Sequence, residues 1–301
     1  MLEHALRFLL LLEILSYVGV GLGWMALVHV PAGCVALALL AWALGVRAAL
    51  LALTYVYAWR HASPIPPEQR TGLVRLACEA LREYACFVAS YSLIQPLATP
   101  LMGEDAVGSL PPGEKPLLLI HGYCCNRGYW WWLRRQLRAG GHGVATISLE
   151  PAYAGIDDFV EQVAQRIAAL LAETGAGQVV LIAHSMGGLV ARAYLRRHGG
   201  SKVARLITLG TGHHGSVLAC LGIGRNARQM EPGSPWLESL ARETLPVPTT
   251  SIYSRHDNFV MPQASAVLSG ARIIALVGVG HLSMGCSPAV LACIEAELNS
   301  A

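Results

Sequence analysis

Read as a pattern of hydrophobic and polar positions, the chain changes character twice. From Phe8 to Val28 nearly every position is apolar, and after His29-Val30-Pro31-Ala32-Gly33 a second apolar run extends from Cys34 to about Ala58. Each run is long enough to cross a hydrocarbon core of about 30 Å. The Pro-Gly segment between them predicts a tight turn, and hence a transmembrane helical hairpin over residues 1–60. A cleaved signal peptide is the competing reading, but the first run is too long for its apolar region and a second run follows directly. Each arm carries one ionisable residue, Glu13 and Arg47, which alone in lipid would be costly. Counted from the turn, they lie about equally far out on opposite arms. A rise of about 1.5 Å per residue then places them at similar depth, where they can pair.

After the second run, His61-Ala62-Ser63-Pro64-Ile65-Pro66-Pro67 must break a helix, because proline cannot sit in a helix interior. An amphipathic helical pattern resumes from about Glu68 to Gln95, with Leu73, Leu76, Ala77, Leu81, Ala85, Phe87 and Val88 on its apolar side; it can pack on the following domain or lie on a bilayer. Pro96 to Lys115 reads as a Pro/Gly-rich linker, so 61–115 forms a helix-plus-linker segment. From 116 to 301 short apolar runs alternate with helical spacing. Strands are predicted at Pro116–Ile120, Val144–Leu149, Gln178–Ala183, Val203–Leu209, Thr249–Ser254 and Ile273–Val277. Helices are predicted near Tyr129–Ala139, Ile156–Thr174, Met186–His198, Pro235–Glu243 and Pro288–Asn299. That alternation predicts an α/β domain with a mostly parallel sheet of about six strands, helices on both faces, and ligands at the carboxyl ends of the strands.

One stretch focuses the chemistry. In Val179-Val180-Leu181-Ile182-Ala183-His184-Ser185-Met186-Gly187-Gly188-Leu189-Val190 a buried strand runs into a helix, with a serine at the corner. Small residues two before and two after such a serine, here Ala183 and Gly187, let strand and helix approach closely and project its hydroxyl from a strained turn. A strand ending in an N-capping serine is the plainer reading. The rest of the chain favours the catalytic one. In this nucleophile motif the acid and then the histidine follow the serine in chain order. Beyond Ser185 the only aspartate is Asp257, and the only histidine after it is His281. Both follow predicted strands, at the sheet edge where Ser185 sits. A serine hydroxyl is a poor nucleophile, so His281 takes its proton, while Asp257 fixes the imidazole tautomer and stabilises the imidazolium. The oxyanion hole then falls to the backbone N–H of Met186, after the nucleophile, and that of Tyr123 in His121-Gly122-Tyr123, after the first strand.

Composition sharpens this picture. The 301 residues are 54% hydrophobic and 14% charged, with a positive mean hydropathy, too apolar for an ordinary soluble protein. The net charge of +3 is weak and dispersed, and without a basic stripe interleaved with aromatics it gives no argument for nucleic acid. Eight cysteines contain no C-x-x-C pair and no zinc spacing, so mostly free thiols and no metal site are expected. Arg7, Arg60, Arg70 and Arg75 flank the hairpin ends while its turn carries no Lys or Arg. The positive-inside rule then places the C-terminal domain in the cytoplasm. The rival topology is a single span, with the Arg47 segment in the interface and the domain outside, in the periplasm of a bacterium. Trp130-Trp131-Trp132 offers an acyl-pocket wall or simply a helix packed on the sheet. His213 and His214 are expected to face solvent, and residues 211–245 are too short for more than a small flap.

On these motifs the chain resembles the α/β-hydrolase superfamily, and within it the bacterial lipase/esterase group typified by triacylglycerol lipases. The resemblance is carried by Ile120-His121-Gly122, Ala183-His184-Ser185-Met186-Gly187, Leu209-Gly210-Thr211-Gly212-His213-His214-Gly215-Ser216, Tyr253-Ser254-Arg255-His256-Asp257-Asn258 and a closing Gly280-His281. It runs from about 116 to the end. Gly212 stands where such lipases usually have proline, and Ala183 where glycine is usual. The resemblance implies a serine hydrolase acting on ester bonds through Ser185, Asp257 and His281, with Tyr123 and Met186 as oxyanion donors and no cofactor. Its expected partners are an ester or lipid substrate and a membrane. The alternatives are an acyltransferase or thioesterase of the same fold, or a membrane protein that keeps the fold only for binding.

Overall fold

In the computed structural model, which describes residues 1–300, the two apolar runs form long helices α1 (Leu2–Val28) and α2 (Ala32–His61). His29 closes α1 in a left-handed conformation (φ 54°) and Pro31 opens α2, so the turn between them is as short as its Pro-Gly composition demands. Both helices, and the apolar stretch Leu73–Met102, are long and apolar enough to cross a membrane. Arg47 grips Glu13 with both arms of its guanidinium, each contact 2.8 Å. Equal distance from a tight turn brings the two charges together, and each thereby satisfies the other.

The broken segment after α2 contains one short 3-10 turn, and α3 (Leu73–Ala89) follows. A π-turn at Ser90–Ile94 and a 3-10 turn at Gln95–Leu97 lead into the short helix α4 (Ala98–Met102). Part of the stretch expected to be a linker is therefore helical. Gln95 and Asn126 explain why. Gln95 takes the Asn126 N–H at 2.8 Å, and its carbonyl takes the Asn126 side chain at 2.8 Å. Those bonds fasten the segment to the loop after the first strand. Asp105 further on receives the Thr146 N–H at 2.6 Å and Arg134 at 2.8 Å.

Six strands follow, β1 (Leu117–Ile120), β2 (Val144–Ile147), β3 (Val179–His184), β4 (Val203–Leu209), β5 (Thr249–Ser254) and β6 (Arg272–Leu276). All pair in parallel, in the order β2-β1-β3-β4-β5-β6. Each lies within two residues of where the apolar runs predict it. The linking helices are α5 (Trp131–Ala139), α6 (Val160–Thr174), α7 (Met186–His198), the short α8 (Arg225–Gln229) and α9 (Pro235–Ala241), and α10 (Pro288–Asn299). Period-two side chains divide the core. Leu118, Ile120, Leu181 and Ala183 pack beneath α6 and α7, while Leu117, Leu119, Val180 and Ile182 pack against α5 and α10. This is the α/β-hydrolase arrangement, with helices on both faces. The chain reverses direction across the sheet at β1 and β3, whose carboxyl ends therefore border the crevice where ligands collect.

One open reading is decided and one expectation changes. Trp130 is fully buried beside Leu133 and Leu137 and Trp132 packs partly buried on the same core, while Trp131 is exposed, so of the two readings the helix packed on the sheet holds and none of the three walls the cavity described below. His213 is buried rather than solvent-facing: its ring lies 3.2 Å from the Thr208 hydroxyl, held in the sheet's edge by the loop after β4.

Candidate active site

The serine corner is strained as its sequence requires. Ser185 sits at φ 54° and ψ −125°, a region that costs a non-glycine residue about 1–3 kcal/mol. Its backbone is held from three sides. The Ser185 N–H donates to Leu209 O at 2.9 Å, and its carbonyl accepts from Gly188 N–H at 3.0 Å and from the Thr211 hydroxyl at 2.9 Å. The small neighbours are needed for close approach. A Cβ on Gly187 would stand 2.5 Å from Ile120 O, one on Gly188 would run into Thr211, and one on Gly122 would come within 2.8 Å of the Ser185 Cβ. Ala183, fully buried between Ile120 and Thr208 in the sheet, fills its place with a single methyl.

Asp257 and His281 arrive from the loops after β5 and β6. His281 Nδ1 lies 2.8 Å from Asp257 Oδ2, both side chains buried. The other oxygen, Oδ1, accepts the Phe259 and Val260 N–H groups at 2.8 Å each. The carboxylate is thus fixed at both ends, and with Nδ1–H donated to it the imidazole keeps Nε2 as its acceptor. Burial by itself would lower the His281 pKa. The Asp257 carboxylate, with a further contribution from the charge of Glu83, outweighs it and holds the imidazole above its usual 6.5. Phe259 stacks on the ring at 5.1 Å, and the His281 N–H donates to Asn258 Oδ1 at 3.2 Å.

Ser185 and His281 line one cavity of about 330 Å³, together with Met186, Tyr123, Leu218 and Val260. Neither the Tyr123 nor the Met186 N–H donates to an acceptor among the described residues. Met186 is the first residue of α7, whose leading N–H groups have no partner within the helix. The loop that presents Tyr123 is fixed by His121. Its Nε2 accepts the Leu149 N–H at 2.9 Å and its Nδ1 lies 2.9 Å from Gly122 O, while burial pushes its pKa down to about 4, so the ring is neutral. The Tyr123 hydroxyl meanwhile donates to Ile223 O and accepts the Ile223 N–H, both at 2.7 Å. It thereby ties this loop to the segment just after the 3-10 turn Val217–Leu221.

Several residues around the site were not singled out from sequence. His184 stacks on Tyr129 at 4.3 Å and reaches the His281 carbonyl at 3.1 Å. Burial, followed by the charge of His281, keeps its pKa well below 6.5. Leu53 and Thr54 of α2 and Tyr91 of the π-turn line the cavity, and the Asn258 side chain donates to Thr54 Oγ1 at 2.8 Å. Glu83 of α3 is fully buried behind the His281 loop. Its available signal was a carboxylate repeated at helical spacing, Glu79 and Glu83, within an otherwise apolar stripe.

Comparison with known proteins agrees with this architecture. A family model described as alpha/beta hydrolase fold matches residues 115–253. The chain is 33% identical over 112 residues to a triacylglycerol lipase of Pseudarthrobacter phenanthrenivorans, a match covering 35% of each chain. It is equally similar to a triacylglycerol lipase of Burkholderia plantarii, over 35% of this chain and 31% of the relative. The matches thus span about a third of the length of these relatives. Among solved structures, the mature form of Bacillus licheniformis lipase BlEst2 superposes with a TM-score of 0.56 at 20% identity, covering 64% of this chain and 95% of that one. Aspergillus fumigatus lipase B gives 0.55 at 22% identity, covering 62% and 53%.

Proposed function

Taking as premise that residues 115–253 belong to the α/β-hydrolase fold family, we propose that the protein is a membrane-anchored serine hydrolase of carboxylic esters, with Ser185, His281 and Asp257 as its triad. The observation that carries this is the buried 2.8 Å contact between His281 Nδ1 and Asp257 Oδ2, in a cavity whose wall also contains Ser185. His281 Nε2 removes the Ser185 proton as Oγ attacks the ester carbonyl. The tetrahedral oxyanion is received by the N–H groups of Tyr123 and Met186, free of other partners among the described residues. Protonated His281, stabilised by Asp257, then gives its proton to the departing alcohol and leaves an acyl-serine. Water, deprotonated by the same imidazole, releases the acid.

The substrate reading rests on where α2 meets the cavity. Leu53 lies about 32 Å along α2 from Ala32 at 1.5 Å per residue, close to the full depth of a hydrocarbon core of about 30 Å. Leu53 and Thr54 both line the cavity. The site therefore sits at the level of lipid headgroups, suited to an acyl ester that partitions into the bilayer. In this reading 1–60 is the membrane hairpin, 61–115 connects it, and 116–301 is the catalytic domain. The arginine flanks support a cytoplasmic position for that domain.

The deciding experiment is labelling of the full-length protein in detergent with a fluorophosphonate, alongside hydrolysis of p-nitrophenyl esters and lipids. The parent is expected to label and hydrolyse, and Ser185→Ala to do neither. Equal labelling of the two, or a folded parent that neither labels nor hydrolyses, would exclude the proposal.

A further inference from the structure

The residues of α3 that face the domain include a carboxylate buried where an apolar side chain would serve at less cost. Glu83 is fully buried. Its Oε1 accepts the Leu282 N–H at 2.7 Å and its Oε2 the Ser283 N–H at 2.8 Å. These are the two residues after His281, opening a 3-10 turn at Leu282–Cys286 whose first N–H groups have no partner within the turn. The fit is close enough that a Cβ on Gly280 would collide with the Glu83 carboxyl group. One turn further along α3, Cys86 Sγ lies 2.7 Å from Cys286 Sγ, at the other end of the same 3-10 turn. One helix face thus holds the histidine loop at both its start and its finish.

Placing a carboxylate in such a position costs several kcal/mol unless its charge and hydrogen bonds are used. We propose that Glu83 is a positioning residue for His281: it fixes the backbone of the histidine loop and sets a negative charge behind the imidazole. The inference rests on the reading of His281 as the general base. In the acylation step the imidazole becomes a cation, and a fixed negative charge outside the triad stabilises that state without touching substrate. The other ionisable groups facing this place are Glu79, one turn earlier on α3, Tyr55 of α2, His184 at the end of β3 and Asp257 from the loop after β5, with the exposed Arg82 and with Arg75, whose guanidinium lies against Gly278 just ahead of His281. Burial raises the Glu83 pKa, while the Leu282 and Ser283 N–H groups and His281 favour its ionised form; that carboxylate is distinct in position from Asp257, on an element that lies before the domain in sequence.

The test uses full-length protein in detergent micelles carrying Glu83→Gln, Glu83→Asp or no change. The His281 imidazole is titrated by NMR, with its signal assigned from its loss in His281→Gln, and ester hydrolysis is measured from pH 5 to 9. Glu83→Gln removes the charge while keeping the shape. It is expected to move the His281 titration and the acid limb of kcat/KM to lower pH. It should also lower kcat about 10- to 100-fold with KM nearly unchanged, the scale of loss when a reacting group is misplaced by about 1 Å. Glu83→Asp keeps the charge but retracts it by one methylene, and is expected to restore the titration while recovering kcat only in part. A folded Glu83→Gln whose His281 titration and kcat match the parent overturns the proposal, as does Glu83→Asp no different from Glu83→Gln in either readout. Should Glu83→Gln not fold, Glu83→Asp decides: a tenfold lower kcat with the titration kept supports the role, and full kcat overturns it. Failure of the hydrolase reading is seen separately, as a parent that does not label with fluorophosphonate, while the NMR titration still reports the effect of Glu83 on the imidazole.

Discussion

Asp257 shows how much one side chain is asked to do. Its Oδ1 closes the loop by accepting two backbone N–H groups, and its Oδ2 holds the His281 ring. Asp257→Asn keeps the shape and can still accept the loop amides through its carbonyl oxygen, but turns an NH₂ toward Nδ1. The imidazole must then present a lone pair to the amide and its N–H to Ser185, the wrong tautomer for a base. The variant is expected to fold and melt close to the parent while kcat falls by about 10⁴, the scale such a tautomer error has in serine proteases. Stopped hydrolysis together with an unchanged melting curve would bear this out. Comparable turnover would place the base elsewhere.

The hairpin illustrates what an element needs when, as proposed, it lies in lipid. Glu13 and Arg47 meet because α1 and α2 run antiparallel from a turn of three residues, 29–31. Removing one partner leaves the other charge without compensation, at a cost of about 3–5 kcal/mol for a pair out of water. Arg47→Leu and Glu13→Leu are each expected to lower the melting temperature in detergent. The double variant, with neither charge stranded, is expected to melt above both singles. Additive losses in the double-mutant cycle would show that the pair is not coupled.

For the whole molecule, the balance of buried histidines sets a pH dependence of stability. Burial lowers the pKa of His121 to about 4 and holds His184 and His213 well below 6.5. Each is neutral in the native state and takes up a proton on unfolding once the pH is below about 6.5. Their contribution is therefore complete above 6.5. It shrinks as the pH falls, by up to about 1.4 kcal/mol per pH unit for each histidine, down to about pH 4 for His121. His281, held above 6.5 in the fold, acts in the opposite sense and loses its stabilising effect as the pH rises through its folded value. Glu79 and Glu83, whose pKa values burial raises, act in the same sense as His281, so the histidine part is read by difference: His121→Gln is expected to lose less stability than the parent between pH 7 and pH 5 in thermal melts in the same detergent, and an equal loss would contradict the assignment. The same scale carries the proposed topology. A cysteine engineered on the exposed face of α6 is expected to resist an impermeant maleimide in intact cells and to react after lysis. Labelling in intact cells would favour the single-span arrangement.

The order of apolar runs, turn residues and small residues was enough, by itself, to fix the hairpin, the six parallel strands and the narrow set of residues able to form a triad. These features depend on local periodicity and on close approach at single positions, such as Gly187 beneath Ile120 O, which sequence records directly. Contacts between distant segments were decided only by the tertiary structure. That α3 and α2 close the back and side of the site, through Glu83 on the His281 loop and Thr54 on Asn258, spans 199 and 204 residues of chain. No local pattern encodes such pairings. A carboxylate in an apolar stripe says only that something must compensate it, and the three-dimensional packing supplies the partner.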